Sequence, residues 1–176
     1  IRRPRGSLGL AQGEGSMGMQ KRSSFRWLVG KPILKAGPEE TLDDVAVKDP
    51  SIVYFDGRWH VFYTTKRKKI ARGGLSTSTS LAYVSAPTLE ELNGAQRFDL
   101  NEGGRLCPRF LCAPQVFFFR PHALWYMILQ VPVPGLTAHQ AVFMTNRDIG
   151  DPLGWSKPEV FTFQRRLSTF WIDFWI

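Results

Sequence analysis

The chain has 176 residues, 43% hydrophobic content and a formal net charge of +8. That length allows a sizeable apolar core, and no stretch reaches the roughly 18 consecutive apolar residues that predict a membrane-spanning helix. Residues 1–35 carry eight Lys or Arg against one acid, which accounts for +7 of the +8. Because the charge is concentrated in one terminal segment, the composition disfavours a nucleic-acid partner for the rest of the chain, and no membrane partner is expected.

The first 24 residues form a separate compositional segment. They are rich in Gly, Ser and Arg and have no hydrophobic period, which predicts a disordered basic segment at 1–24 and a folded domain at 25–176. They contain no apolar h-region, so no signal peptide is predicted within this chain. A short apolar run at 25–29 predicts the first strand of the folded domain.

A hairpin is predicted next. Ser51–Phe55 is rich in β-branched and aromatic residues, Asp56-Gly57 is typical of a two-residue turn, and Trp59–Thr64 is the return strand. A third strand is predicted near residues 81–84. The basic cluster at 66–72 precedes two glycines and is interpreted as a solvated loop, and the Ser/Thr run at 76–80 as a polar loop.

The same plan recurs further along the chain. The predicted inner strand, turn and partner strand are Gln115–Phe119, Arg120–His122 and Trp125–Gln130, and the later strands are Gln140–Thr145 and Val160–Phe163. Residues 146–158 are predicted to be a loop. Phe170–Ile176 would open a third unit. Many short strands with turn signals at this spacing predict an all-β fold.

The two units align as a sequence repeat. Pro50 and Pro114 are 114 − 50 = 64 residues apart, and Asp173 lies 173 − 113 = 60 residues after Ala113, the counterpart of Asp49. A hairpin-built repeat of this size is typical of a β-propeller blade. At roughly 60 residues per blade the chain holds about two and a third blades, and a closed propeller needs about four or more. The chain is therefore interpreted as a fragment lacking later blades.

The repeat also nominates two carboxylates. Asp49 and Asp173 occupy equivalent positions, and both would face one pocket if those positions line the central axis. Asp49 could equally be a strand-start Asp that binds local amides. Asp173 is flanked by Trp171, Phe174 and Trp175, and burial among aromatic rings raises the pKa of a carboxyl, which suits acid–base chemistry. Aromatic rings beside carboxylates also suit a sugar site.

Three further polar or reactive groups have competing interpretations. Lys48 could orient a substrate hydroxyl or be a solvated strand-end Lys, and Gln115 could point into the pocket or form a structural hydrogen bond. His60 is interpreted as a packing residue. Cys107 and Cys112 could form a local disulfide or remain ordinary thiols, and two Cys without a Cys/His pair do not make a zinc site.

Several segments of the sequence, taken together, resemble glycoside hydrolase family 62, the α-L-arabinofuranosidases acting on arabinoxylan. The resemblance runs in order from about residue 25 to the end of the chain. It is carried by residues 45–54, Trp59–Phe62, Ala113–Phe117, Trp125-Tyr126, residues 151–158 and Trp171–Trp175. The related family 43 shares the inner-strand acids, and it matches the middle segments of the sequence less well.

The resemblance implies a five-bladed propeller and an inverting hydrolysis of terminal α-L-arabinofuranosyl groups. Asp49 matches the general base, and Asp173 matches the acid that raises the pKa of the general acid and positions it. The general acid is a Glu in a later blade, outside this chain, so the fragment itself is expected to be inactive. Lys48, Ala113, Gln115, Trp171 and Phe174 are the expected substrate-binding residues.

The resemblance further implies a secreted protein, monomeric at full length, that binds arabinoxylan or arabinan. It requires no cofactor, although a structural calcium ion is common in the family. Two departures concern the substrate: Leu111 stands where the family usually has Arg, and the 66–74 segment is unusual. The alternatives are a family 43-like glycosidase and a propeller that binds carbohydrate without catalysis.

Overall fold

The computed structural model describes residues 26–71, 74–107, 111–132 and 139–161. The chain divides into two compact units after Lys31. The unit that begins at Pro32 contains all the strands that the structure describes. The predicted boundary between residues 24 and 25 stays a prediction.

The first sheet is a four-stranded antiparallel meander. Its strands are β1 (Ala46–Phe55), β2 (Arg58–Ala71), β3 (Gly74–Ala86) and β4 (Arg97–Asp99), hydrogen-bonded in that order. Asp56 and Gly57 join β1 to β2 with φ of 47° and 72°. Two successive positive φ values define the turn that matches the natural twist of a hairpin. The predicted Asp-Gly hairpin is confirmed.

The second sheet repeats the same order. Its strands are β5 (Cys112–Phe119), β6 (Leu124–Pro132), β7 (His139–Asn146) and β8 (Glu159–Val160), again an antiparallel meander. A short 3₁₀ turn, Arg120–His122, joins β5 to β6, and two others lie at Leu92–Gly94 and Glu102–Gly104. The predicted strand at 160–163 corresponds in part to β8, which contains Val160 and not Phe161. Residues 162 and 163 lie outside the described residues.

The main core lies between the two sheets. Phe62, Leu81 and Tyr83 of the first sheet belong to one buried cluster with Met127 and Met144 of the second. Alternate residues of β2, such as Val61 and Tyr63, lie in a separate cluster on the other face of the first sheet. Because successive strand residues point to opposite faces, both faces of β2 are buried, and the inner strands β1 and β5 are held side by side.

The basic cluster is not a loop. β2 continues through Lys66 to Ala71, and β3 begins at Gly74, so the Ser/Thr run 76–80 pairs with it residue by residue. The prediction of two polar loops was therefore wrong. The hairpin is held by the backbone ladder and by cross-strand contacts such as that of the Lys66 ammonium, which donates to the Thr79 hydroxyl at 2.7 Å.

The all-β prediction is confirmed, since the described residues form two antiparallel sheets with only three short 3₁₀ turns. The number of blades is not tested and stays a prediction. Residues 26–29 lie outside any strand, in contrast to the expected apolar strand there. The predicted third unit, Phe170–Ile176, lies outside the described residues. The described residues contain no helix that is long and apolar enough to cross a membrane.

Candidate functional site

Asp49 lies in a β-bulge at the start of β1. Lys48 pairs with Thr64 and Ser51 with Phe62, so Asp49 and Pro50 together oppose a single residue of β2. Asp49 has φ of 49°, in the left-handed region. A residue before proline favours an extended backbone, and the bulge overrides that preference at Asp49. Bulges re-aim a side chain, and left-handed non-glycine residues concentrate at functional sites.

The second sheet carries the same bulge at the repeat-equivalent position. Cys112 pairs with Gln130 and Gln115 with Ile128, and Ala113 has φ of 52°. An Ala in this conformation costs about 1–2 kcal/mol. The sequence repeat is thus also a repeat of backbone conformation, and the equivalence of Asp49 and Ala113 is confirmed. Of the two bulges that the structure describes, the first carries a carboxylate and the second does not.

Two hydrogen bonds join β5 to the first sheet, one to β2 and one to β1. The Ala113 amide donates to the Thr64 hydroxyl oxygen at 2.8 Å, and the Val116 amide donates to the Ser51 hydroxyl oxygen at 2.9 Å. Thr64 is also the β2 partner of Lys48. The two bulges therefore adjoin the same threonine, which fixes their relative position and brings Lys48, Asp49 and Ala113 to one end of the inner strands.

Asp49 and Lys48 are both exposed, and Asp49 forms no hydrogen bond or ion pair with any residue that the structure describes. An exposed carboxylate in a fixed backbone can accept a proton from water. Gln115 is half-buried on the neighbouring strand. Asp173, Trp171 and Phe174 lie outside the described residues, so the meeting of two carboxylates in one pocket stays a prediction.

Sequence reasoning missed Thr64 as a site residue. Its side chain is 2% exposed, and it positions the Ala113 bulge through the hydroxyl–amide bond. The available signal was the Thr64-Thr65 pair that closes the apolar run of β2. Thr64 lies opposite Lys48, the residue before Asp49. Its hydroxyl can accept a hydrogen bond from a neighbouring backbone amide, and an aliphatic side chain at that position could not.

Leu111, which stands where the family usually has Arg, lies in an apolar environment. Leu111 is fully buried in the core between the sheets. Cys107 and Cys112 are half-buried and form no disulfide with each other, which favours the alternative of two ordinary thiols. Among the described residues, no group of three or more His, Cys, Asp or Glu could hold a metal ion. The structural calcium that the resemblance implied stays a prediction.

His60 is a packing residue, as predicted. It is 3% exposed, its Nδ1 lies 2.8 Å from the Tyr83 hydroxyl and its Nε2 lies 3.3 Å from the Phe55 carbonyl oxygen. Burial lowers the pKa of His60, and the nearby Arg58 adds to that effect, while the Phe55 carbonyl and the carboxylates of Asp148 and Asp56 oppose it. The imidazole is therefore kept neutral between the hairpin turn and β3.

The His60 shift predicts a loss of stability in acid. His60 binds a proton near pH 6.5 in the unfolded chain and only at lower pH in the folded chain. The stability that the neutral imidazole contributes is therefore lost as pH falls below about 6.5. We expect the melting temperature of the full-length protein to fall between about pH 7.5 and pH 5.5. His60→Gln should flatten that fall in calorimetry, and His122→Gln, at an exposed site, should not. Equal pH profiles for wild type and His60→Gln would contradict the assignment.

No family model matches the chain. Its curated relatives include the alpha-L-arabinofuranosidase C of Cellvibrio japonicus, which is 26% identical over 155 residues. That match covers 88% of this chain and 21% of the relative. The chain thus spans about a fifth of the length of that protein.

Solved structures give the same likeness. The catalytic domain of a Coprinopsis cinerea GH62 alpha-L-arabinofuranosidase matches with 31% identity and a TM-score of 0.58, over 75% of this chain and 36% of that one. A GH62 hydrolase in complex with xylotriose matches with 30% identity and a TM-score of 0.57, over 74% and 34%. An alpha-L-arabinofuranosidase of Podospora anserina in complex with cellotriose matches with 29% identity and a TM-score of 0.56, over 73% and 35%. The resemblance to glycoside hydrolase family 62 is confirmed, and the chain spans about a third of these structures.

Proposed function

With the likeness to family 62 as premise, we propose that the full-length protein containing this chain hydrolyses terminal α-L-arabinofuranosyl groups of an arabinose-substituted polysaccharide, arabinoxylan or arabinan. The proposal rests on Asp49, an exposed carboxylate whose backbone is left-handed in the bulge of β1. The equivalent position in the bulge of β5 is Ala113, which has no polar side chain. Because the bulge also forms with the methyl side chain of Ala113, a carboxylate is not needed to form it.

The proposed chemistry is an inverting displacement. The Asp49 carboxylate accepts a proton from a water molecule, whose oxygen forms a bond to the anomeric carbon. The bond to the glycosidic oxygen breaks, and that oxygen takes a proton from a general acid, a Glu beyond this chain. Asp173 raises the pKa of that Glu. Inversion needs about 6.5–9.5 Å between base and acid carboxyls, which leaves room for the water.

The neighbouring positions have supporting roles in this proposal. Lys48, Ala113 and Gln115 bind the arabinosyl group, together with Trp171 and Phe174. Thr64 positions the site because it holds Ala113 through its hydroxyl. Since the chemistry needs the Glu of a later blade, residues 1–176 alone would release no arabinose.

The proposed architecture is a five-bladed propeller. It is supported by two consecutive four-stranded meanders with the same bulge on the inner strand, packed on one core. We further propose that the protein is secreted and acts as a monomer without a required cofactor.

The test is arabinose release from wheat arabinoxylan by the full-length gene product, measured by chromatography. Release of arabinose with an intact xylan backbone is expected. Binding to the polymer without release would contradict hydrolysis and favour a carbohydrate-binding propeller. Release of xylose instead of arabinose would favour a family 43-like glycosidase of different specificity.

A further inference from the structure

A basic hairpin extends from the end of the first sheet at which Asp49 lies. It consists of residues 66–71 of β2 and 74–79 of β3. The register places Lys48 opposite Thr64 and Ala46 opposite Lys66, so the hairpin continues past the start of β1. From Thr64 to Lys69 the strand rises about 17 Å. The hairpin therefore projects past the end of the sheet at which Asp49 lies.

The cations of the hairpin differ in how far they are neutralised. The Lys68 ammonium lies 2.7 Å from the Glu39 carboxylate, and that ion pair raises the pKa of Lys68. Arg67 donates to the Glu40 carbonyl oxygen at 3.0 Å. These contacts tie the hairpin to the preceding segment, and the Glu39 carboxylate offsets part of the Lys68 charge.

Lys66 and Lys69 carry uncompensated charge. The Lys66 ammonium donates to the Thr79 hydroxyl at 2.7 Å, and Lys69 is exposed. Within the part of the chain that the structure describes, neither forms an ion pair with a carboxylate. Lys48 pairs with Thr64, and Lys66 lies two residues further along the same face, so these two cations are neighbours at the end of the sheet where Asp49 lies. Lys69 lies on the opposite face of the hairpin, so the hairpin carries positive charge on both faces.

The facing strand decides which kind of anion fits. Ser76, Thr77, Ser78 and Thr79 lie directly opposite the four cations, and hydroxyl groups are suited to hydrogen bonds with sugar hydroxyls. None of residues 66–69 or 76–79 is aromatic. Proteins bind single-stranded nucleic acid by aromatic stacking as well as by charge. This surface has the charge and lacks the aromatic side chains, so it suits such a ligand poorly.

We propose that the basic hairpin binds the carboxylates of an acidic polysaccharide, one with uronic acid units near the arabinosyl group, and so selects such substrates for the Asp49 site. This inference rests on the proposed function. Charge at an approach surface acts mainly on the association of substrate, and it is screened by salt.

The test uses the full-length protein with Asp49→Asn, so that the polymer is not consumed, and measures its affinity for glucuronic acid-bearing arabinoxylan and for the same polymer after chemical reduction of its carboxyl groups. We expect tighter binding to the acidic polymer at about 20 mM NaCl and loss of that difference at about 200 mM. Adding Lys66→Gln and Lys69→Gln should weaken binding of the acidic polymer about fivefold and leave binding of the reduced polymer unchanged.

Lys157→Gln is the matched control, because Lys157 is exposed and lies at the opposite end of the second sheet. Lys69→Gln alone, at an exposed position, guards against an effect of misfolding. Equal affinity for the acidic and reduced polymers, or an equal loss in Lys157→Gln, would overturn the proposal. Tighter binding of single-stranded DNA than of the acidic polymer would overturn it in favour of a nucleic acid. Charge-dependent binding without arabinose release by the wild type would support the hairpin's role and count against the proposed function alone.

Discussion

Asp49→Asn in the full-length protein is expected to lower kcat for arabinose release about 10³-fold, within the 10²–10⁴ range of general acid–base catalysis. An amide oxygen cannot take up the proton of the attacking water at neutral pH. The fold should be unaffected, because Asn tolerates the left-handed backbone that Asp49 adopts, with φ of 49°. Initial rates on arabinoxylan, with melting curves as the check of folding, measure both.

The chain offers a matched control for that substitution. Asp56 is also exposed and has φ of 47°, but it lies in the hairpin turn at the other end of β1. Asp56→Asn should retain wild-type turnover. If Asp49→Asn stayed within about tenfold of wild type, Asp49 would not be the general base. Equal losses in both variants would point to a general effect on the sheet.

Asp43→Ala is expected to destabilise the full-length protein by about 3–5 kcal/mol, the cost of leaving a buried charge without its partner. Asp43 is fully buried, where its carboxylate accepts hydrogen bonds from Arg97 and from the Tyr63 hydroxyl, the latter at 2.9 Å. Burial and the adjacent carboxylate raise the pKa of Tyr63, so the phenol stays protonated and donates. Removal of the carboxylate would leave Arg97, whose side chain is only 13% exposed, without its counter-ion.

Thermal unfolding should report that loss as a fall of about 10 °C in the melting temperature. The Glu39–Lys68 ion pair is the control, because both of its side chains are exposed, at 79% and 43%, and Glu39→Gln should change the melting temperature little. Asp43→Asn, which keeps an acceptor for Tyr63, should lose less than Asp43→Ala. An Asp43→Ala variant as stable as Glu39→Gln would contradict a stabilising role for the buried pair.

The parts of the fold that sequence could predict are those set by local chemistry. Asp56-Gly57 adopts the two positive φ values that a two-residue hairpin requires, and the alternating apolar residues on either side supply the strands. The recurrence of Pro50 as Pro114 predicted that two units share one plan. The matching bulges at Asp49 and Ala113 confirm that the shared plan extends to the backbone.

Other features depend on contacts that a single sequence does not show. Lys66–Ala71 has the composition of a solvated loop, and it forms a strand because the Ser/Thr run of β3 pairs with it across the ladder. The Asp43–Arg97 pair joins residues 54 apart. Thr64 could be seen as a strand residue, but its bond to Ala113 exists only because two sheets pack side by side.

For the candidate site, the repeat identified Asp49 and its surroundings, and residue type identified the chemistry. The left-handed backbone of Asp49 could not be predicted, because Pro50 favours an extended residue before it and the bulge overrides that preference. Asp173, Trp171 and Phe174 remain predictions carried by the repeat and by the resemblance.

An inverting arabinofuranosidase with Asp49 as its base would release arabinose as the β-anomer, and a time course of the reaction shows which anomer forms first. The full-length protein is mixed with arabinoxylan, and proton NMR follows the anomeric signals of free arabinose from the first minutes. Early appearance of the β-anomer, before mutarotation equilibrates the two forms, and its absence in Asp49→Asn are the predicted results. Absence of arabinose, or the α-anomer appearing first, would contradict the account.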